Sequence, residues 1–139
     1  MKLNVLEGQT TDVGTQLVTS VIKVKDLVEN YAVDVFDHSK GRAGKGGYQR
    51  KANQSRIKKL AKLLAESKVT IPTSILANIR KPSEKLIKFD ASGKSFVNLS
   101  SPIMIIDGQH RVASFAEVYN NPDFYGIDKK KFGEIKLFI

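Results

Sequence analysis

Two periods alternate along this chain of 139 residues, and the changes of period mark its elements. "QLVTSVIKV" (16–24) is apolar and β-branched, the composition of a strand. Val24, Leu27, Val28 and Tyr31 then fall at i, i+3, i+4 and i+7, one face of a short helix. From Lys51 to about Ser67 the helical period returns, with Ile57, Leu60, Ala61 and Leu64 as its apolar stripe. "VTIPTSILANI" (69–79) reads as extended chain, and Pro72 confines it to an edge or a strand start. "KLIKF" and "SFVNL" flank "DASGK" (90–94), the pattern of a hairpin with a glycine turn. Ile103 to Ile106 is a short buried strand. Val112, Phe115, Ala116 and Tyr119 then lay one helix face on the core, until "NNPDFYG" breaks it. "EIKLFI" (134–139) reads as a last strand.

Residues 1–14 are polar and rich in Gly and Thr, so they read as a flexible N-terminal lead. That leaves 15–139 as a single domain, and the sequence shows no internal repeat. The apolar final strand has no polar tail after it, so the domain is expected to be truncated at its C-terminus. The interleaved strands and helices predict an α+β fold, a small mixed sheet with packed helices.

Charge changes the picture more than composition does. The formal net charge is +9. Nine cations, Lys40, Arg42, Lys45, Arg50, Lys51, Arg56, Lys58, Lys59 and Lys62, fall between residues 40 and 62 with no acid among them. The remainder of the chain is neutral, so the whole excess sits in one segment, a Gly-rich loop followed by a cationic helix. Such concentrated positive charge attracts polyanions, and nucleic acid is the commonest. A solvated helix face is the other reading of the same residues. The loop is not a phosphate-binding Walker loop, because Gly41 is too close to Gly44-Lys45 and no Ser or Thr follows the lysine.

There are no cysteines, which excludes disulfides, thiolate metal sites and thiol catalysis. No apolar run approaches the roughly 18 residues of a membrane span. The N-terminus lacks the apolar core of a secretory leader. These features predict a cytoplasmic protein with no membrane partner.

The densest chemistry lies in "IMIIDGQHRVASF" (103–115). A strand feeding a helix through Gly108 presents the free N–H groups of the first turn, and these form an anion site with the positive end of the helix dipole. Gly108 lets a ligand approach closely. Gln109, His110 and Arg111 occupy that turn. Arg111 can grip a phosphate with two N–H groups. His110 can donate to an oxygen or shuttle a proton. Asp107 can hold Mg²⁺ or accept from a hydroxyl. It can equally cap the helix or pair with Arg111. A cation in a first turn opposes the dipole, so Arg111 is badly placed unless something anionic offsets it.

The sequence "DGQHR" (107–111) also resembles the namesake motif of the DGQHR-domain family, which includes DndB-like proteins of DNA-modification and phage-defence systems. The resemblance extends to Gln49-Arg50, to the Arg56-Ile57 helix with Leu60 and Leu64, and to Pro72, Ser74 and Ile75. A Val-Ala-Ser-Phe helix follows the motif, so the likeness spans about residues 48–119. That family is similar in fold to ParB N-terminal and sulfiredoxin domains, where a strand–Gly–helix turn ending in Arg binds nucleotide phosphates. The resemblance therefore implies a nucleotide, ATP or another NTP with Mg²⁺, held by Gly108, Gln109, His110 and Arg111, with Gln49, Arg50 and Arg56 facing the same anion. Gln109 stands where sulfiredoxins carry their cysteine, which closes that chemistry. ParB-like free serine kinases carry a similar turn, which leaves phosphoryl transfer open, with Asp107 and His110 in catalytic roles. DndB-type chains run on past this point, so the resemblance covers the N-terminal part of such a protein.

The expectation is a DNA-associated protein of a phosphorothioation-type or defence system, possessing a phosphate site at residues 107–111 and a second electrostatic contact along residues 40–62. Transcriptional regulation is one form that role can take. The alternatives are an NTPase or phosphoryl-transfer enzyme, and a protein-interaction module without nucleotide. Partners in those readings are DNA, a nucleotide, a second copy of the chain or proteins of the modification system. Among lesser candidates, His38 has no partner at metal-ligand spacing. Tyr48 can stack on a base or anchor a helix. Lys129 to Lys131 read as a solvated turn, and Ser74 as a cap.

Overall fold

The computed structural model describes residues 1–10, 16–34, 51–68, 74–79, 87–99 and 102–139. In "MKLNVL", Met1, Leu3 and Val5 are half-buried, whereas Lys2, Asn4 and Leu6 are exposed. This period of two makes a strand that is wet on one face. It is β1, Lys2–Thr10. The expectation of a flexible lead over residues 1–14 is thus corrected for residues 2–10: the core-facing half of the alternation outweighs the polar composition.

β1 lies at the centre of a five-stranded antiparallel sheet. β2 (Gln16–Lys23) pairs on one side, and its far edge carries β8 (Lys136–Phe138). On the other side of β1 comes β6 (Ser95–Asn98), then β5 (Ile87–Phe89). The β5–β6 hairpin turns where the sequence placed it. Asp90 Oδ1 accepts from the Ser92 and Lys94 amides at 2.9 and 3.0 Å, and Gly93 takes φ of 81°. The second sheet has three strands: β3 (Tyr31–Ala32) parallel to the central β7 (Ile103–Asp107), and β4 (Leu76–Asn78) antiparallel on its other edge. The Ile75 amide donates to the Phe138 carbonyl at 2.9 Å, joining the small sheet's edge to β8.

Among the described residues five helices complete this α+β architecture: α1 (Val24–Asn30), α2 (Gln54–Ala65), α3 (Gln109–Asn120), α4 (Pro122–Tyr125) and α5 (Lys129–Gly133). α1 keeps the expected face, with Val24 and Leu27 fully buried, but Tyr31 begins β3 rather than closing the helix. Lys129 to Lys131, expected as a turn, start α5, because the Asp128 side chain caps the Lys131 amide at 3.1 Å and Phe132 is buried behind them. α3 is the hub. It buries Val112, Ser114, Phe115, Ala116 and Val118, so it meets the core on more than one side, with α1, α2 and α5 against it. Ile22, Leu27, Ile103 and Ile105 fill the space around it.

Ion pairing staples the end of α5 to the junction of β2 with α1. Glu134 reaches Lys23 Nζ at 2.6 Å and Lys25 Nζ at 2.5 Å. Hydrogen bonds from Lys23 and then Lys25 hold its carboxyl down at about 2, from an ordinary 4.5. A carboxyl whose folded value is depressed contributes fully above its unfolded value and loses that contribution as pH falls through the folded one. The bridge therefore acts above about pH 4.5 and fades toward pH 2. The carboxylate is solvated, so its contribution is that of a surface pair. Glu134→Gln should lower the melting temperature slightly at neutral pH and converge with the parent near pH 2. Melting curves across that range check this, and a constant offset at every pH would refute it.

Candidate functional site

β7 runs out of the core at Asp107 and α3 starts two residues later, so the strand-to-helix turn is a single glycine. Gly108 is the N-cap of α3 with φ of 96° and ψ of 19°, the left-handed region that L side chains rarely enter. A Cβ at this position would lie 3.0 Å from Arg111 Nη2 and 3.2 Å from Arg111 Cζ. The guanidinium is thus folded back over the bare glycine. It donates to the Ser74 carbonyl at 3.3 Å and lies 3.6 Å from Asp107 Oδ2. Asp107 is 77% exposed and Arg111 only 21%. Of the roles open to Asp107, pairing with Arg111 is realised, at long range, and helix capping is not, since α3 has no side-chain cap. The carbonyl and the carboxylate are what offset a cation in a first turn.

His110 points the other way. Its Nε2 accepts from the Asn53 backbone amide at 3.1 Å, which requires the proton on Nδ1. Four residues on, the buried Ser114 hydroxyl lies 2.6 Å from the His110 carbonyl and 3.1 Å from the Ile57 carbonyl. The contacts 110 to 53 and 114 to 57 advance together, so α2 and α3 pack in parallel with both N-termini at one end. Asn53 caps α2, its Oδ1 accepting from the Arg56 amide at 3.1 Å and from the Ser55 hydroxyl at 2.8 Å. Neither helix has an acid in its first turn. Each has an arginine there, Arg56 and Arg111.

Two like dipole ends side by side repel. Half-charges about 10 Å apart at an effective dielectric of about 20 give roughly 0.4 kcal/mol at each end. Ordinary helix packing outweighs that, and an oxyanion at this corner would be attracted by both helices at once. Among the described residues no three His, Cys, Asp or Glu side chains cluster as a metal site. One exposed carboxylate is nonetheless the usual protein share of a magnesium shell completed by phosphates and water. Asp107 could supply it.

The cationic helix leads away from this corner. Arg56, Lys58, Lys59 and Lys62 are all exposed on α2. Among the described residues no salt bridge engages any of the four. Gln109 is half-buried in the first turn of α3, with its Oε1 buried. Lys51 is exposed just before α2. Lys40, Arg42, Lys45, Gln49 and Arg50, with His38, Tyr48 and Pro72, lie outside the described residues. Ser74 contributes its backbone carbonyl, not a side-chain cap. Asn53 and Ser114 were missed from sequence. Asn53 carried a signal, since an Asn just before a helical period is a common N-cap. Ser114 carried none, because only its burial between two helices gives it a role.

A family model described as DndB, DNA-sulfur modification-associated, matches residues 6–134. No curated protein and no solved structure matches the chain.

Gly108→Ala tests the turn. A left-handed alanine, with its Cβ against the guanidinium, is expected to cost roughly 1–3 kcal/mol, read as a lower urea midpoint. A variant as stable as the parent would show that the turn does not need this conformation.

Proposed function

The chain belongs to the DndB family of DNA-sulfur modification-associated proteins, and from that premise we propose that it binds the phosphates of DNA at the paired N-termini of α2 and α3 and along the outer face of α2. It acts in a DNA-sulfur modification system, and DNA contact is the form this role takes here. The observation that carries the reading is the corner itself: two parallel helix N-termini, an arginine in each first turn and no acid in either. The exposed Lys58, Lys59 and Lys62 extend the same positive field. Lys51, exposed just before α2, adds to it, and Lys40, Arg42, Lys45 and Arg50 precede it in the sequence. Regulation of the system's own genes and a cytoplasmic setting fit this role. Among the described residues no helix is long and apolar enough to cross a membrane.

Each phosphate contact removed should flatten the salt dependence of binding by about 0.9 in log affinity per log salt. Arg56→Ala combined with Lys59→Ala is expected to lower that slope by about two and to weaken duplexes of unrelated sequence alike. Fluorescence anisotropy with labelled duplex over a salt series reads both quantities. An unchanged slope removes α2 from the interface.

A second reading is a nucleotide at the same corner, within a ParB/sulfiredoxin-like arrangement of the DGQHR turn. The folded-back Arg111 over a left-handed Gly108 supports it, because a phosphate could displace the distant Asp107 carboxylate from the guanidinium. Asp107 would then be free for Mg²⁺. Arg111→Ala should abolish binding of ATP, CTP or GTP in calorimetry with Mg²⁺ present, while the melting temperature stays near that of the parent. Phosphate release that stops with Asp107→Asn or His110→Ala would turn the binder into a phosphoryl-transfer enzyme. Heat of binding that survives in Arg111→Ala would exclude the turn.

A further inference from the structure

At the opposite end of the helix pair, α2, the end of α3 and α4 enclose an open cleft of about 640 Å³. Its most unusual feature is Phe124, which is 84% exposed on the short α4. The ring stands edge-on to Tyr125, with centroids 5.0 Å apart at 80°. Tyr125 is fixed in turn, donating to Glu117 Oε1 at 3.2 Å. An aromatic ring propped against a neighbour and left open to solvent gives up a favourable burial that the adjacent cleft could have supplied.

Lys58 and Lys62 line the same cleft. They belong to the cationic face of α2 as well, so the aromatic ring continues the electrostatic surface rather than standing apart from it. The other acid in the cleft, Glu66, is drawn to Lys68 at 2.7 Å, which holds its carboxyl below the ordinary range. Glu66 also feels Lys62, and Glu117 is engaged by Tyr125, so the cleft sets a π-face beside two exposed ammonium groups with both carboxylates already in contact with a donor or cation. That is the equipment that holds a single strand: cations track the phosphates and a base stacks on the ring. A base pair inside a duplex could not use it, because its faces are already stacked.

We propose that the Phe124 cleft takes an unstacked nucleobase of a single strand whose phosphates lie on Lys58 and Lys62. The inference rests on the α2 surface being a nucleic-acid contact. It adds a preference for unpaired bases, at the end of the helices remote from Gly108.

The test compares labelled oligo-dT with an abasic strand of the same length and charge, by fluorescence anisotropy with the full chain. Wild type should bind oligo-dT between about five- and a hundred-fold more tightly than the abasic strand. Phe124→Ala should erase that ratio and leave duplex affinity and melting temperature unchanged. Phe124→Trp should retain the ratio. Equal affinity of wild type for the two strands overturns the proposal, as does a ratio that survives in Phe124→Ala. The α2 reading fails separately, when Arg56→Ala with Lys59→Ala leaves the duplex salt slope intact.

Discussion

The parallel contact of α2 with α3 is the constraint on which the rest of the molecule depends. Helices adjacent in a chain usually meet antiparallel, through a short connection. Here the chain leaves α2 at Ala65, builds β4, β5, β6 and β7, and returns along α3 in the same direction. Apolar packing of Ile57 and Ala61 against the hub helix supplies most of the attraction, but apolar surfaces alone do not choose a register. The polar contacts do. His110 reaches the Asn53 amide and Ser114 lies within reach of the Ile57 carbonyl, one helical turn apart on both helices. Sliding α3 along α2 would break both together and leave a buried hydroxyl facing the wrong turn, which costs more than the dipole repulsion it would relieve.

That arrangement explains why residues of one short motif do unlike things. Asp107 to Arg111 are adjacent in sequence, yet His110 faces α2 and Arg111 faces the Gly108 turn and Ser74. Side chains one residue apart on a helix diverge by about 100°, so neighbours must serve different surfaces. The glycine is the condition for the second of these. A residue without a Cβ leaves the guanidinium room to fold back against the backbone, and there the arginine meets a carbonyl and a carboxylate that offset a first-turn cation. A motif that looks like one catalytic cluster in the sequence is, in space, a lock between helices beside a turn that holds a folded-back arginine.

How far the sequence disclosed this depends on whether each signal was local. The hairpin around Gly93, the strand ending at Asp107 and the stripe of α2 are set by turn chemistry and periodicity, which act over a few residues, and all were readable. β1 was also locally encoded, in the alternation of "KLNVL", but Gly and Thr further along concealed it, since composition averages over exactly the residues that periodicity distinguishes. α5 depended on one capping aspartate before three lysines, a weak signal set against a strong charge run. The parallel register of α2 and α3 was not readable. It comes from pairs more than fifty residues apart, and nothing about a serine in "VASF" says that it will lie against the carbonyl of Ile57.

The charge distribution links the two ends of the helix pair. A row of cations that merely kept the protein in solution could sit on any exposed face, and nearby carboxylates would offset it at little cost. Glu134, Asp90 and Glu66 each engage a lysine, yet those lysines are Lys23, Lys25, Lys2 and Lys68, outside α2. These three acids thus hold their closest partners outside α2, with Lys62 alone in the field of Glu66, and Arg56, Lys58, Lys59 and Lys62 stay exposed. At one end of that row are two dipole ends with their arginines; at the other is an uncovered aromatic ring. On the proposed reading, a polyanion laid along α2 would meet the paired helix N-termini first and the Phe124 ring last. The parallel register fixes that order, so the surface has two unlike ends rather than a uniform positive patch.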